Sequence, residues 1–205
     1  VKLGFPVYLS QLANYLMLPC MMITLSFALP GNSDENLARI AFFTMAYQMV
    51  DRILPVTRSV SFALLPKITT GTDAEAGELA AKASRHTLLV SIVIFGILCL
   101  LMQPIVAILL GKRFLALIGP FLIMAPGGIA LSVAGVWSTH LLARSRPLQV
   151  AKAGIISVVI ALIVAGLGFK YMFIGQDREV LISSLSVLIG AFVNALILLP
   201  VFCRE

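Results

Sequence analysis

Residues 87–110 read TLLVSIVIFGILCLLMQPIVAILL, an apolar run of 24 residues without a charged side chain. A helix needs roughly 20 such residues to cross the hydrocarbon core of a bilayer. Further runs of comparable length lie on both sides of this one, at 3–29, 38–65, 117–143, 151–174 and 180–203. The pattern predicts an all-α polytopic membrane protein with six transmembrane helices.

Composition supports the membrane class, with 60% hydrophobic residues, 12% charged residues and a mean hydropathy of +1.05. The runs are continuous, whereas strands of a transmembrane β-barrel alternate in polarity over about ten residues, so we set a barrel aside. The net charge of +6 comes from basic residues at the ends of the runs and in short connections. Lipid headgroups, rather than nucleic acid, are the expected neighbours of these residues.

The three cysteines, Cys20, Cys99 and Cys203, lie singly in apolar runs with no CxxC spacing and no histidine cluster. This arrangement indicates neither a disulfide framework nor a metal site, and we expect no cofactor. The first run starts directly after Lys2 and lacks a small-residue cleavage site. We therefore interpret it as a retained helix rather than a signal peptide.

The distribution of Lys and Arg predicts the orientation of the chain. With Arg52 and Arg58 left out, because both lie within the second run, the two sides of the membrane carry unequal numbers of basic residues. Eight lie on the amino-terminal side (Lys2, Lys67, Lys82, Arg85, Arg144, Arg146, Lys152 and Arg204), and five lie on the other (Arg39, Lys112, Arg113, Lys170 and Arg178). The positive-inside rule then predicts that both termini are cytoplasmic.

The second run contains a polar stripe, which is the main pointer to function. On a helix that turns 100° per residue, its members share an arc of roughly 120° and extend for roughly 22 Å. They are Thr44, Gln48, Asp51, Arg52, Pro55, Arg58 and Ser59. Charged groups at this depth are costly and usually functional, and we expect the stripe to face a watery interior.

Arginine is the residue type that best compensates a buried phosphate, because its guanidinium stays charged and binds phosphate oxygens in a fork. Arg52 and Arg58 are therefore our first candidates for contacts with a diphosphate. Asp51 is expected either to orient an arginine or to carry a coupling proton. A purely structural charge cluster, in which Asp51 neutralises an arginine from another part of the protein, is the alternative.

Gln11, Asn14 and Tyr15 share a face of the first run and can offer hydrogen bonds to sugar hydroxyls. Hydrogen bonds between helices account for them equally well. The predicted substrate-binding set therefore consists of Arg52, Arg58, Asp51, Gln48, Thr44, Asn14 and Gln11.

Two further patterns concern the connections and the fourth run. The connection after helix two is predicted to turn at Pro66 and Gly71, and the pattern Thr72-x-x-Glu75 is typical of a capping box that starts helix three near Asp73. Helix three is predicted to end at Gly111, a typical carboxy-terminal cap. The motif Pro126-Gly127-Gly128 marks either a kink or hinge or a close helix crossing.

Several segments resemble the lipid II flippases and polysaccharide flippases of bacteria, in the mouse-virulence-factor branch of the multidrug/oligosaccharidyl-lipid/polysaccharide exporter superfamily. The stretch YQMVDRILP at 47–55, continuing to LLPKI at 64–68, is similar to helix eight of that family. ILLGKRF at 108–114 and LLAR at 141–144 resemble the ends of the helices that follow. The likeness covers most of the chain as a carboxy-terminal half.

The resemblance implies one lobe of a two-lobe transporter that encloses a central cavity, with the amino-terminal lobe missing or replaced by a second copy. It implies a flippase of the bacterial inner membrane, not an enzyme, that translocates a lipid-linked oligosaccharide or polysaccharide precursor, such as a peptidoglycan precursor, by alternating access. The expected partners are a polyprenyl diphosphate-linked sugar, membrane lipids and a coupling ion, either a proton or sodium. Because the chain starts at Val1, we expect a fragment or truncated product.

Three alternatives remain open. An ion-coupled exporter of drugs or cations from the same superfamily should line its cavity with acids, but the stripe carries two arginines and one aspartate. An integral membrane transferase acting on lipid-linked substrates needs clustered acids for a metal or a general base, and Asp51 is the single acid within the second run. In a non-transporting scaffold, the stripe should pair fully with a partner.

Overall fold

The computed structural model describes residues 4–29, 34–70, 73–171 and 178–203, which are almost entirely helical and contain no strand. In these ranges there are six α-helices: α1 (Gly4–Ala28), α2 (Asp34–Thr70), α3 (Asp73–Leu109), α4 (Ile118–Ala143), α5 (Pro147–Tyr171) and α6 (Arg178–Cys203). A short 3₁₀-helix, Lys112–Leu117, precedes α4. The expected all-α class is confirmed.

Four segments in the described ranges are long and apolar enough to cross a membrane: Glu75–Leu109, Lys112–Ala143, Pro147–Lys170 and Arg178–Cys203. A shorter apolar helical stretch covers Tyr15–Ala28. The outward faces of these helices are apolar as well, as Leu100, Ile108 and Phe27 illustrate with more than three-quarters of their surface exposed. Helices that are apolar all round are typical of a membrane-embedded protein.

The helix α2 is longer than the apolar run that predicts it. It begins at Asp34, and Asp34 and Glu35 in its first turn interact favourably with the helix dipole. It continues to Thr70, so the predicted turn at Pro66 is wrong. A proline removes one backbone donor and crowds one carbonyl, but the hydrogen bonds on either side of it can persist, and in this helix they do.

Two helix boundaries follow local sequence signals. The helix α3 begins at Asp73, where its start is predicted, and its end agrees with the predicted glycine cap; the predicted turn at Gly71 and the capping residue Thr72 lie outside the described residues. Gly111 has a φ of 92°, and its amide donates a hydrogen bond of 3.0 Å to the carbonyl of Val106. A positive φ strains residues that carry a Cβ atom, which explains the glycine at this position.

The helix α4 occupies the centre of the bundle and packs against α2, α3, α5 and α6, while α1 packs mainly against α5. Large buried side chains fill the space around it, including Phe43, Phe95 and Phe121. A smaller cluster around Leu141 and Leu198 joins α4 to the end of α6. Lipid is as apolar as these side chains, so dense packing stabilises the bundle more than burial from water does.

The motif Pro126-Gly127-Gly128 lies at this centre and brings three helices close together. A Cβ atom at Gly127 would lie 3.2 Å from the Cβ of Ala191 in α6. A Cβ atom at Gly128 would collide with the ring of Phe95 in α3 and lie 3.0 Å from Val50 in α2. Of the two predicted roles, close helix crossing is the one that this packing supports.

Several buried hydroxyl groups bond within their own helices, although those of Thr87 and Ser91 have no hydrogen-bond partner within the described residues. Ser132 donates to the carbonyl of Gly128 at 2.8 Å, and Ser184 donates to the carbonyl of Val180 at 2.7 Å. In a bilayer these polar groups have no water to bond with, so bonding to the carbonyl one turn earlier satisfies them.

Candidate functional site

The middle of α2 lies between two cavities formed with different neighbouring helices. On one side it faces α3 and α4, and on the other it faces α1, α4, α5 and α6. Because consecutive helical residues project about 100° apart, neighbours in this sequence can reach different cavities. Each cavity receives one charged residue of the predicted stripe, Arg52 in the first and Asp51 in the second.

The larger cavity, which we call the arginine groove, has a volume of about 410 Å³. Cavities of about 300–1,000 Å³ are typical of sites that hold small organic molecules. Its walls are formed by Met45, Gln48, Met49, Arg52 and Ile53 of α2, Leu98, Met102 and Ile105 of α3, Leu110 after α3, and Phe121 of α4. The surface that it offers to a ligand is therefore almost entirely apolar.

Arg52 is the charged residue among the described residues that line the arginine groove. Its side chain is exposed, and Gln48, one helical turn earlier, is exposed on the same wall. Residues four apart on a helix lie side by side, so the amide of Gln48 and the guanidinium of Arg52 can act on one ligand group. Together they supply donors for an anion in apolar surroundings, where such bonds are strong.

The smaller cavity, which we call the aspartate cleft, has a volume of about 70 Å³. Its lining is more polar than that of the groove, with Asp51 and Tyr47 from α2, Ser157 from α5 and Asn194 from α6. The remaining lining residues are Met17, Leu54, Leu131, Val158, Val187, Gly190 and Ala191. The space is sufficient for a small ion or a few water molecules, since a water molecule occupies about 30 Å³ in the liquid.

Close packing of three helices shapes this cleft. A Cβ atom at Gly190 of α6 would lie 2.9 Å from Met17 in α1 and 3.0 Å from Ala161 in α5. Any larger residue would therefore push these helices apart. The glycine thus allows α6 to lie close to α1 and α5 one turn before Asn194, which lines the cleft.

Two polar side chains of the cleft have no bonding partner within the described residues. The exposed carboxylate of Asp51 makes neither a hydrogen bond nor an ion pair there, and the amide of Asn194, a residue that is 8% exposed, makes no hydrogen bond there either. Ser157, by contrast, donates to the carbonyl of Gly154 at 2.7 Å. The cleft thus places oxygen acceptors around a small space, which is an arrangement suited to a proton, a water molecule or a small cation.

The structure separates the predicted substrate-binding residues. Gln48 and Arg52 line the arginine groove, and Asp51 lines the aspartate cleft. Thr44 lines neither cavity, and its hydroxyl donates to the carbonyl of Ile40 at 2.8 Å. The side chains of Gln11, Asn14 and Arg58 lie outside the part of the chain that the structure describes, although their positions fall within α1 and α2.

Sequence reasoning missed the partners that complete both cavities. Asn194 had a detectable signal, because a carboxamide within the apolar run 180–203 is unusual in a membrane helix. Ser157 had none, since serines occur throughout the apolar runs. The apolar walls of the arginine groove had no signal in the sequence either. Leu98, Met102 and Phe121 resemble ordinary core residues, and only the packing of the helices shows that they line a cavity.

Comparisons of the chain with protein-family profiles, with curated proteins and with solved structures find no match. The two cavities, and the charged residues of α2 that line one each, are the features of the molecule that point to a function.

Proposed function

We propose that the chain belongs to a flippase that translocates a lipid-linked oligosaccharide or polysaccharide precursor across the bacterial cytoplasmic membrane by alternating access. The observation that supports this most is the position of Arg52, a cation on the wall of an apolar groove in the middle of α2. Placing a guanidinium within a membrane helix costs free energy, so an arginine there usually has a function. Binding an anionic headgroup is such a function.

The cargo in this proposal carries a diphosphate between its sugar and its lipid. Moving that anion through hydrocarbon is prohibitive without compensation, and Arg52 with Gln48 supplies charge and hydrogen bonds for it. Arg58, on the same predicted stripe, is proposed as the second cationic contact. The likeness of residues 47–55 to the lipid II and polysaccharide flippases favours the same class of cargo.

Six membrane-spanning helices, with both termini in the cytoplasm, form one lobe in this proposal. A second lobe, either an amino-terminal half or another copy, closes the central cavity. Rocking of the two lobes exposes the cationic wall first to the cytoplasm and then to the outside. An inside-negative potential assists the outward step by about 4.6 kcal/mol per 100 mV for a headgroup with about two negative charges.

The sizes of the two cavities weigh against an exporter of organic cations. Such an exporter needs an acid beside a space large enough for its substrate. The acid of this stripe, Asp51, lies in the cleft of about 70 Å³, while the groove of about 410 Å³ carries the arginine. An anionic substrate therefore fits the division of charge better.

The test is transport of a fluorescent polyprenyl diphosphate-linked sugar by the protein reconstituted in liposomes. Arg52→Gln should reduce translocation by about tenfold or more, because it removes a charge-assisted contact with the phosphate. The matched control is Arg113→Gln, which removes an exposed arginine outside both cavities. Absence of translocation by the unmodified protein, or chemical conversion of the substrate into a new product, would refute the flippase proposal, and normal translocation by the Arg52→Gln protein would refute the role given to Arg52.

A further inference from the structure

We infer that the arginine groove binds the phosphate-proximal part of a single polyprenyl chain, with the phosphate on Arg52 and the first isoprenoid units along α2 and α3. The inference rests on the proposed function and adds a site for the lipid part of the cargo, which the polar stripe alone does not provide.

The walls of the arginine groove are chemically suited to an apolar ligand. A sugar or a free diphosphate would need polar partners around it, yet the walls beyond Gln48 and Arg52 are aliphatic, aromatic or methionine side chains. Three of them, Met45, Met49 and Met102, are methionines, whose flexible thioethers adapt to irregular apolar shapes. A methyl-branched isoprenoid chain is an apolar shape of this kind.

The charge of Arg52 is complementary to an anionic group at one end of such a ligand. The side chain of Asp51 lines the aspartate cleft, whereas that of Arg52 lines the arginine groove. Asp51 therefore does not neutralise Arg52 on the wall of the groove. A ligand with an anionic end and an apolar body matches this one-sided arrangement. A neutral isoprenoid alcohol would leave the guanidinium without a counter-charge, and inorganic diphosphate would leave the apolar walls uncovered.

The size of the arginine groove favours a ligand with a single lipid chain. The groove is bordered by α2 from Met45 to Ile53, a rise of about 12 Å along the helix axis. Its volume of about 410 Å³ suits a short length of one chain and does not suit the two acyl chains and glycerol of a phospholipid. Polyprenyl phosphate is therefore favoured over anionic phospholipids, although both carry a phosphate on an apolar body.

The experiment measures lipid binding by native mass spectrometry of the purified full chain, separately from transport. The probes are a polyprenyl phosphate, the corresponding polyprenyl alcohol, inorganic diphosphate and phosphatidylglycerol. Met45→Trp and Leu98→Trp narrow the groove from either wall, and both positions are at least partly exposed, so the larger ring can be accommodated. Ile163→Trp, on the exposed face of α5 outside both cavities, is the matched control.

We expect the two groove variants to bind polyprenyl phosphate at least about tenfold more weakly than the unmodified chain, and Ile163→Trp to bind it equally well. Arg52→Gln should lower the affinity for polyprenyl phosphate to that for the alcohol. Unchanged binding in both groove variants would overturn the inference, and so would equal binding of phosphatidylglycerol or of inorganic diphosphate.

The same variants distinguish this inference from the proposed function. If groove-dependent binding is found while the unmodified chain does not translocate the lipid-linked sugar, the flippase proposal fails and the lipid site stands. If Arg52→Gln abolishes translocation while Met45→Trp and Leu98→Trp bind normally, the flippase mechanism stands and the lipid site fails.

Discussion

Asp51 and Arg52 are consecutive residues of α2, yet their side chains line different cavities, Asp51 with Asn194 and Arg52 with Leu98. Their opposite charges therefore act in two separate environments instead of cancelling in one. The helix separates the two cavities, with a cationic residue on the side of α3 and an acceptor-rich wall on the side of α5 and α6.

The division of the two charges can be tested by cross-linking in a background from which the native cysteines are removed. Asp51→Cys combined with Asn194→Cys should be joined efficiently by a short bifunctional thiol reagent, because both positions line the aspartate cleft. Asp51→Cys combined with Leu98→Cys should give little product, since Leu98 lines the other cavity. Electrophoretic mobility measures the yield, and equal yields would contradict the separation of the two side chains.

Gly128→Ala should lower the free energy of unfolding by about 1–3 kcal/mol, the usual cost of overpacking a core. The added methyl group would collide with the fully buried ring of Phe95, which has no free space to move into. Gly96→Ala is the matched control in α3, because nothing lies within 4 Å of its added methyl group. The free energy of unfolding of this control should rise by about 0.5–1 kcal/mol, because alanine is more stable than glycine in a helix interior. Chemical unfolding in detergent measures both, and equal effects would refute the close crossing.

Ser145→Gly should stabilise the turn between α4 and α5. Ser145 has a φ of 58°, and its amide donates to the carbonyl of Leu142 at 3.1 Å while the amide of Arg146 donates to Leu141 at 2.9 Å. These two bonds define a Schellman cap, in which glycine avoids a strain of about 1–2 kcal/mol. Allowing for the greater entropy of glycine in the unfolded chain, the net gain should be about 0.5 kcal/mol.

The control for the Ser145 prediction is Ser138→Gly, the same substitution inside α4, where the serine hydroxyl bonds to the carbonyl of Ala134. Here glycine should reduce the melting temperature, because it costs about 0.5–1 kcal/mol in a helix interior. Shifts of the melting temperature in the same direction for both variants would argue against the strained cap.

Glu179→Gln should destabilise the bundle more than Glu35→Gln, although the Glu35 pair is the shorter one. Arg39 lies 2.8 Å from Glu35 and 3.8 Å from Glu179, but the side chain of Glu35 is 70% exposed and that of Glu179 is 24% exposed. Water and salt screen the exposed pair, so we expect a loss of less than about 0.5 kcal/mol for Glu35 and about 1 kcal/mol for Glu179. Both acids lie in the first turn of their helices, so each interacts with its helix dipole to a similar extent and the dipole does not account for the difference.

Unfolding in low and high salt measures the Glu179 and Glu35 predictions together. The effect of Glu35→Gln should disappear in high salt, whereas most of the effect of Glu179→Gln should remain. The Glu179 pair also links the beginning of α6 to the beginning of α2. A larger loss for Glu35→Gln than for Glu179→Gln would show that this link does not stabilise the bundle.

Length and hydropathy predict the helical class and the apolar segments well, because a spanning helix needs a long run without charges. They underestimate α2 and α3, which continue past the apolar runs into charged residues such as Glu35 and Lys82. Helix propensity and local ion pairs, such as the 2.7 Å pair between Glu78 and Lys82, support these extensions. Hydropathy is insensitive to both.

The candidate site was predictable in part. Helical periodicity places Gln48 and Arg52 side by side, and both line the arginine groove. Periodicity also groups Asp51 with them, since an angular arc contains no information about which helix lies opposite each residue. That information depends on long-range packing, such as the approach of α3 to α4 at Gly128 and of α6 to α1 at Gly190.

The contact between Phe95 and Gly128 also has a consequence for biosynthesis. Ribosomes make α2 and α3 before α4, so Val50 and Phe95 are synthesised before the glycine that receives them. Until then, the face of the α2–α3 pair that meets α4 lacks its partner. Synthesis of the fourth helix is therefore the step that allows Phe95 and Val50 to acquire their final packing, whereas α1 must wait for α5.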